Sequence, residues 1–376
     1  MAGGLPEARL FPAELLAEIY REVVADTSSL QYGRAPKELR DQVCDLLASR
    51  GVQSQPEQVI FTSGAQQGID VGVRMFLREN GGVLVDEISY TGIHQTAAPR
   101  LPRWLEVPVD LENPRTGEIA RDLMAGPGTD SIDLAYVISS GHNPLGIDLS
   151  ETQRIAWADL ARERSLPLIE DDPYGFLGLD GDLPAPIQTH APEQTIYLGS
   201  FSKILAPGLR LGFMVVPRAL VTKASVVKES TDLETSAVTQ HVVSRVLQSG
   251  MLPAHLESIR DTYRERRDAL LAALQAHLAD QATWTRPAAG MFVWLELRPR
   301  DAEGSGGSDP GPSTVDLLER CVEREGVAFL PGPAFVVPGS RATRRASRSM
   351  RLSFSSLEPE QYDDAVAAIA RQLAML

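Results

Sequence analysis

Between residues 59 and 216, short β-branched and aliphatic runs alternate with stretches of helical periodicity. Val59–Thr62, Val83–Asp86, Leu134–Ser139, Pro167–Asp171, Thr195–Gly199 and Gly212–Val216 have the length and apolar continuity of buried strands. Between them, Gln66–Glu79 and Ser150–Arg164 are expected as helices. Ser150, with Gln153 three residues on, has the form of a capping box. Strands separated by helices need crossover connections, which predicts a parallel α/β sheet.

From about residue 233 the pattern changes. Two helical stretches, Leu233–Gln248 and Ala254–Leu278, precede a strand at Met291–Leu297. Asp301–Ser313 is a flexible polar loop by composition. A helix at Thr314–Glu325, strands near Val327–Leu330 and Met350–Ser355, and a terminal helix from about Pro359 complete a smaller α+β domain. The expected division is an N-terminal arm with part of the small domain (1–45), a large domain (46–265) and a C-terminal small domain (266–376).

Composition narrows the class. With 43% hydrophobic and 23% charged residues the chain is that of an ordinary soluble globular protein. A net charge of −14 opposes binding to nucleic acid or anionic membrane. The basic cluster Arg341–Arg348 is expected as a solvated loop. No apolar run is long enough for a membrane helix, and the N-terminus lacks the pattern of a signal peptide. Cys44 and Cys321 are the only cysteines, which excludes a disulfide framework and suits a reducing cytoplasm. The six histidines have no metal-ligand spacing, so no metal site is expected.

Lys37, Lys203, Lys223 and Lys228 are the only lysines among 36 basic residues. Lys37, Lys223 and Lys228 lie in polar or amphipathic stretches and are expected at the surface. Lys203 instead follows a β-rich run, within Ser200-Phe201-Ser202-Lys203, with Pro207-Gly208-Leu209-Arg210 just beyond. A lysine at a strand's C-terminal end faces the crevice where α/β folds bind ligands. Partial desolvation there makes it a usable amine nucleophile toward a carbonyl. Ser200, Ser202 and Arg210 suit a phosphate dianion. Ser63-Gly64-Ala65-Gln66-Gln67 turns from a strand into a helix, whose N-terminal N–H groups form a natural phosphate cradle.

Residues 200–212 resemble the cofactor-lysine segment of fold-type I pyridoxal 5′-phosphate (PLP) enzymes, the class I/II aminotransferases. The likeness extends through nearly the whole chain and is strongest to the branch of 2-aminoadipate, aromatic and branched-chain aminotransferases. It implies a large, mostly parallel seven-stranded sheet domain beside a smaller α+β domain. It also implies that Lys203 holds PLP as a Schiff base and moves the proton, in a ping-pong transfer from an amino acid to a 2-oxo acid. By the same resemblance Gly64, Ala65 and Gln66 hold the phosphate, and Tyr90 stacks on the pyridine ring. Asn143, in His142-Asn143-Pro144-Leu145-Gly146, donates to the phenolic oxygen and belongs to the substrate site; the family more often has Thr where Leu145 stands. Asp171, within Glu170-Asp171-Asp172-Pro173-Tyr174, keeps the ring nitrogen protonated so that the ring serves as an electron sink. Tyr174 hydrogen-bonds the phenolic oxygen. Arg351, in an apolar strand, takes the substrate carboxylate with its planar fork.

Gly3-Gly4-Leu5-Pro6 resembles the segment that folds over the substrate, with Gly4 at the site. Tyr32 matches a tyrosine that reaches the neighbouring subunit's cofactor phosphate, which implies a homodimer with shared active sites. Arg9 and Arg21 are candidates to read a substrate side chain, and Leu5, Tyr32 and Phe335 to line an apolar pocket. Two other readings stay open: a PLP lyase, decarboxylase or cyclase on the same scaffold, and an aminotransferase-like regulator. The second is opposed by the net charge and by the absence of a basic recognition helix before Val59.

Overall fold

The computed structural model describes residues 1–33, 36–126, 129–299 and 312–376. Most of the polar loop expected at Asp301–Ser313 falls outside these residues. Strands β1 (Val59–Thr62), β2 (Gly82–Asp86), β3 (Arg103–Val107), β4 (Ile132–Val137), β5 (Leu168–Asp171), β6 (Thr195–Ser200) and β7 (Gly212–Val215) form one sheet, ordered β1-β7-β6-β5-β4-β2-β3. Pairings from β3 to β6 are parallel, and β7 alone runs against both its neighbours.

Helices cover both faces, which is why these strands read as continuous apolar runs. Ile169 points toward Ile69 and Val73 of the helix Ala65–Phe76. Its neighbour Leu168 points the other way, toward Trp157 and Leu160 of the helix Glu151–Arg164. The second sheet comprises β8 (Ala282–Trp284), β9 (Phe292–Leu297), β10 (Leu330–Pro331) and β11 (Ser349–Ser353), all antiparallel in the order β10-β11-β9-β8. It packs with the long helix Leu252–Leu278 and the terminal helix Gln361–Leu373.

Several expectations are corrected. Strand β4 starts and stops two residues earlier than Leu134–Ser139, because the Ser139 carbonyl accepts from Leu149 N–H and Arg154 rather than extending the ladder. Ser150 does cap its helix by accepting from Gln153 N–H. The reciprocal half of the box is missing, since Gln153 Oε1 accepts from Gly117 N–H at 3.1 Å instead. The helix expected over Leu233–Gln248 begins only at Ala237, because Leu233, at φ +64°, ends a preceding helix, Val221–Asp232, that was not among the expected elements. Val327–Phe329 does not pair as a strand: the Val327 N–H closes the preceding helix on the Cys321 carbonyl.

The basic cluster is not a solvated loop. It contains the turn of helix Thr343–Ala346, and Arg345 bridges Glu87, just past β2, at 2.9 Å and Glu296 of β9 at 2.8 Å. One guanidinium thus ties the two sheets together. Lys228 is not a surface lysine; it is buried and paired with Asp232 at 2.8 Å.

Candidate active site

The carboxyl ends of β1, β2, β4, β5 and β6 converge on one cavity of about 410 Å³. It is lined by Gly4, Ala65, Gln66, Tyr90, Asn143, Asp171, Tyr174, Ser200, Ser202, Lys203, Arg210 and Arg351. Of the residues expected to hold the cofactor or the substrate carboxylate, Gly64 and Tyr32 are not on its wall. Gly64 is the N-cap immediately behind Ala65, at φ +84°. A Cβ there would lie 2.8 Å from Arg210 Nη2, so the close approach of the Arg210 guanidinium requires glycine. Tyr32 is 76% exposed and borders a separate cavity of about 630 Å³ with Arg40 and Lys228.

At one end of the active cavity, N–H groups of a helix start, the hydroxyls of Ser200 and Ser202, and Arg210 converge. Arg210 is fixed by donating to the Ser63 carbonyl at 2.8 Å. Such a set can hold a phosphate dianion. Asp171 lies at the end of β5, buried, with Oδ2 accepting from the Tyr136 phenol at 2.6 Å. Among the described residues its Oδ1 has no hydrogen-bond partner. Burial raises the Asp171 carboxyl to about 7, against the opposing hydrogen bond from Tyr136. A protonated ring nitrogen beside Oδ1 would supply the missing donor.

Lys203 Nζ donates to the Gly4 carbonyl at 2.8 Å. Burial, reinforced by the Arg351 and Arg210 charges, lowers it to about 8, which makes the neutral amine far easier to reach than in a free lysine. Arg351 sits inside the antiparallel sheet, opposite Trp294 of β9. Its guanidinium lies over the Phe292 ring at 4.1 Å and the Phe335 ring at 5.2 Å, donates to Asn143 Oδ1 at 2.7 Å and to the Ala2 carbonyl at 2.9 Å, and keeps a buried Nε without a partner among the described residues. Burial lowers it to about 10. Tyr90 donates to Gln66 Oε1 at 3.1 Å, tying the strand-end ring to the phosphate-side helix.

Other expectations change. Arg9 pairs with Glu7 and Glu358 and Arg21 is exposed; neither lines the cavity. Phe335 packs on Arg351 rather than lining the cavity, and Tyr32 lies elsewhere, so of the three apolar candidates only Leu5 is on the wall. Ile69, Ile138, Pro173 and Pro207 line it as well. Nothing in the sequence marks them, since each also suits a core or a turn. Tyr136 carries a weak signal: a phenol within a buried strand needs a partner.

A half-buried amine nucleophile, a phosphate cradle and a carboxylate oxygen without a partner among the described residues, set at the strand ends of a mostly parallel sheet, define a PLP enzyme of fold type I. The family model described as aminotransferase class I and II matches residues 7–369, and the chain belongs to that family. It is 31% identical to aromatic-amino-acid aminotransferase 1 of Thermococcus litoralis, over 99% of this chain and 87% of that protein. The Pyrococcus horikoshii kynurenine aminotransferase solved in complex with PMP superimposes with a TM-score of 0.87 at 32% identity, covering 100% of this chain and 90% of that one. The α-aminoadipate aminotransferase LysN of Thermus thermophilus, complexed with N-(5′-phosphopyridoxyl)-L-leucine, gives 0.86 at 33% identity, covering 100% and 91%. The protein is accordingly an aminotransferase, and PLP is the cofactor of its family.

Proposed function

We propose that the protein moves the amino group of an L-amino acid to a 2-oxo acid in two half-reactions, with Lys203 as both the attachment point of PLP and the proton carrier. The observation that carries this reading is the position of Lys203 Nζ. It lines one cavity with the Arg210 phosphate cradle, the Asp171 carboxylate and the Arg351 guanidinium.

When bound, PLP supplies the electron sink that lets the Cα–H bond of the substrate break. The chain's own residues do the rest. Ala65, Gln66, Ser200, Ser202 and Arg210, backed by Gly64, anchor the phosphate. Tyr90 covers the ring, and Tyr174 and the Asn143 amide N–H group donate to its phenolic oxygen. Asp171 Oδ1 accepts the ring N–H. Arg351 has five N–H donors, two of them engaged with Asn143 and Ala2, so three remain for the substrate carboxylate. Gly4 closes the site from above. Lys203 Nζ, its hold on a proton weakened by desolvation, takes the Cα proton and returns it.

The reading extends to a large and a small domain divided near residues 45 and 265, to a cytoplasmic setting that suits two free cysteines, and to a homodimer. In the homodimer, the exposed Tyr32 serves the cofactor phosphate of the partner subunit. Light scattering at twice 40.9 kDa is the expected mass; a monomer that binds cofactor fully would contradict the shared site.

The test of aminotransfer is a half-reaction. Loaded protein given an amino donor alone should lose the absorption band of lysine-bound cofactor, release one equivalent of 2-oxo acid and retain pyridoxamine phosphate. A second 2-oxo acid should then restore the band. Release of carbon dioxide, ammonia or a cyclic product without pyridoxamine phosphate would assign a lyase, decarboxylase or cyclase instead.

A further inference from the structure

Tyr136 lies in the apolar run of β4, fully buried and outside the cavity wall. In the parallel ladder it is level with Ile169 of β5. Asp171 projects on the same face as Ile169, one step nearer the carboxyl end. The phenol spans that step and donates to Asp171 Oδ2 at 2.6 Å. The other oxygen, Oδ1, is buried and without a partner among the described residues, and Asp171 is on the cavity wall. Among the described residues no cation forms a salt bridge with Asp171.

The adjacent carboxylate offers a contrast. Asp172 also accepts from a buried phenol, that of Tyr197 in β6, at 2.9 Å, and faces Arg50 at 3.4 Å. It does not line the cavity. Two consecutive carboxylates are thus each gripped by a tyrosine from the strand on either side. Only the one held by Tyr136 has an oxygen left over at the cavity.

We propose that Tyr136 is a positioning residue: by donating to Oδ2 it turns Asp171 Oδ1 into the cavity and holds it there as the acceptor for the cofactor's ring N–H. The inference rests on the reading of this cavity as the PLP site. A buried carboxylate with one fixed oxygen has one free direction, and no reorganisation is needed when the ring arrives. Without the phenol the carboxylate can rotate, or take a proton itself and lose the acceptor.

The test compares two cofactors on protein stripped of its own: PLP, and 1-deaza-pyridoxal phosphate, whose ring nitrogen is replaced by C–H. Dissociation constants are read by absorbance and fluorescence, without turnover. Tyr136→Phe should weaken PLP about 10-fold, the scale of one hydrogen bond to a charged group, and change the deaza analogue less than about 2-fold on the same scale. Tyr197→Phe removes the equivalent phenol from Asp172 and should leave the ratio of the two constants as in the wild type. Where the void left by Phe prevents folding, Tyr136→4-fluorophenylalanine fills the hydroxyl's space without a proton and reads the same ratio. Equal losses for both cofactors, no loss for either, or the same change of ratio in Tyr197→Phe would overturn the role of Tyr136. Wild-type protein that attaches neither cofactor at Lys203 would instead refute the site itself.

Discussion

Arg351 Nη1 donates to Asn143 Oδ1 at 2.7 Å, joining two residues 208 positions apart. The bond has consequences for both partners. The amide oxygen is occupied, so the Asn143 NH₂ is turned to donate elsewhere. The guanidinium, already stacked on Phe292, is held with its remaining donors in one plane.

A planar fork held this way should not be replaceable by a point charge. Arg351→Lys is predicted to raise KM for the amino donor about 100-fold through the loss of two charge-assisted hydrogen bonds, with cofactor affinity changed only a few-fold. Steady-state kinetics and a cofactor titration check the two halves. An unchanged KM would remove Arg351 from the carboxylate site.

The lowered Lys203 value makes a prediction about stability. Folded, the amine titrates near 8 instead of 10.5, a difference of up to about 3 kcal/mol. Between those values the unfolded chain binds the extra proton, so stability of the cofactor-free protein rises with pH through that window. Lys203→Met should therefore be more stable than the wild type below pH 8, and the advantage should shrink as pH climbs toward 10.5. Urea midpoints across pH measure it; a pH-independent difference would mean that burial of the charge is not the cause.

Gly64 combines φ +84° with a Cβ position 2.8 Å from Arg210 Nη2. Gly64→Ala has to strain the turn and displace the guanidinium, at a cost of about 1–2 kcal/mol. PLP affinity is predicted to fall about 10-fold, the equivalent of that cost, while an amino donor should show little change in KM. Equilibrium titration with PLP reads the effect, and an unaltered constant would contradict the phosphate cradle.

The N-terminal arm is anchored by Glu7, which accepts from Arg266 at 2.8 Å and from Arg9 at 3.0 Å. The Arg9 hydrogen bond first, and Arg266 with it, holds the Glu7 carboxyl down at about 2. The contribution is therefore present above its ordinary value of 4.5 and lost as pH falls toward 2. Glu7→Gln should loosen the segment that brings Gly4 over Lys203, raising KM several-fold (roughly one charged hydrogen bond) with the cofactor band unchanged. Hydrogen exchange at residues 2–6 should quicken in parallel; unchanged exchange would leave the arm held by other contacts.

The parts legible in the sequence were those with a local cause. Strand β1 was expected at its observed limits because Val59–Thr62 is bounded by turn residues. Lys203 stands out locally, as a scarce amine after a β-rich run; Asp171, Asn143 and Arg351 lie at the ends of, or inside, apolar runs but take their roles from the family resemblance, and all four line the cavity. Strand β3 was missed because its half-exposed Arg-Trp-Leu-Glu-Val has neither a continuous apolar run nor clean alternation. The break at Leu233 has no local signature, since leucine rarely takes φ +64°. Arg345 between Glu87 and Glu296, and Tyr136 beneath Asp171, depend on which strands become neighbours. No spacing along one chain reports that.

The most direct test of the account is the site of cofactor attachment. PLP-loaded protein is reduced with borohydride, digested and mapped by mass spectrometry. The account predicts a phosphopyridoxyl group on Lys203 and on none of Lys37, Lys223 and Lys228, and no label in Lys203→Ala. Label on any of the other three lysines, or a Lys203→Ala protein that still forms 2-oxo acid at the wild-type rate, would contradict it.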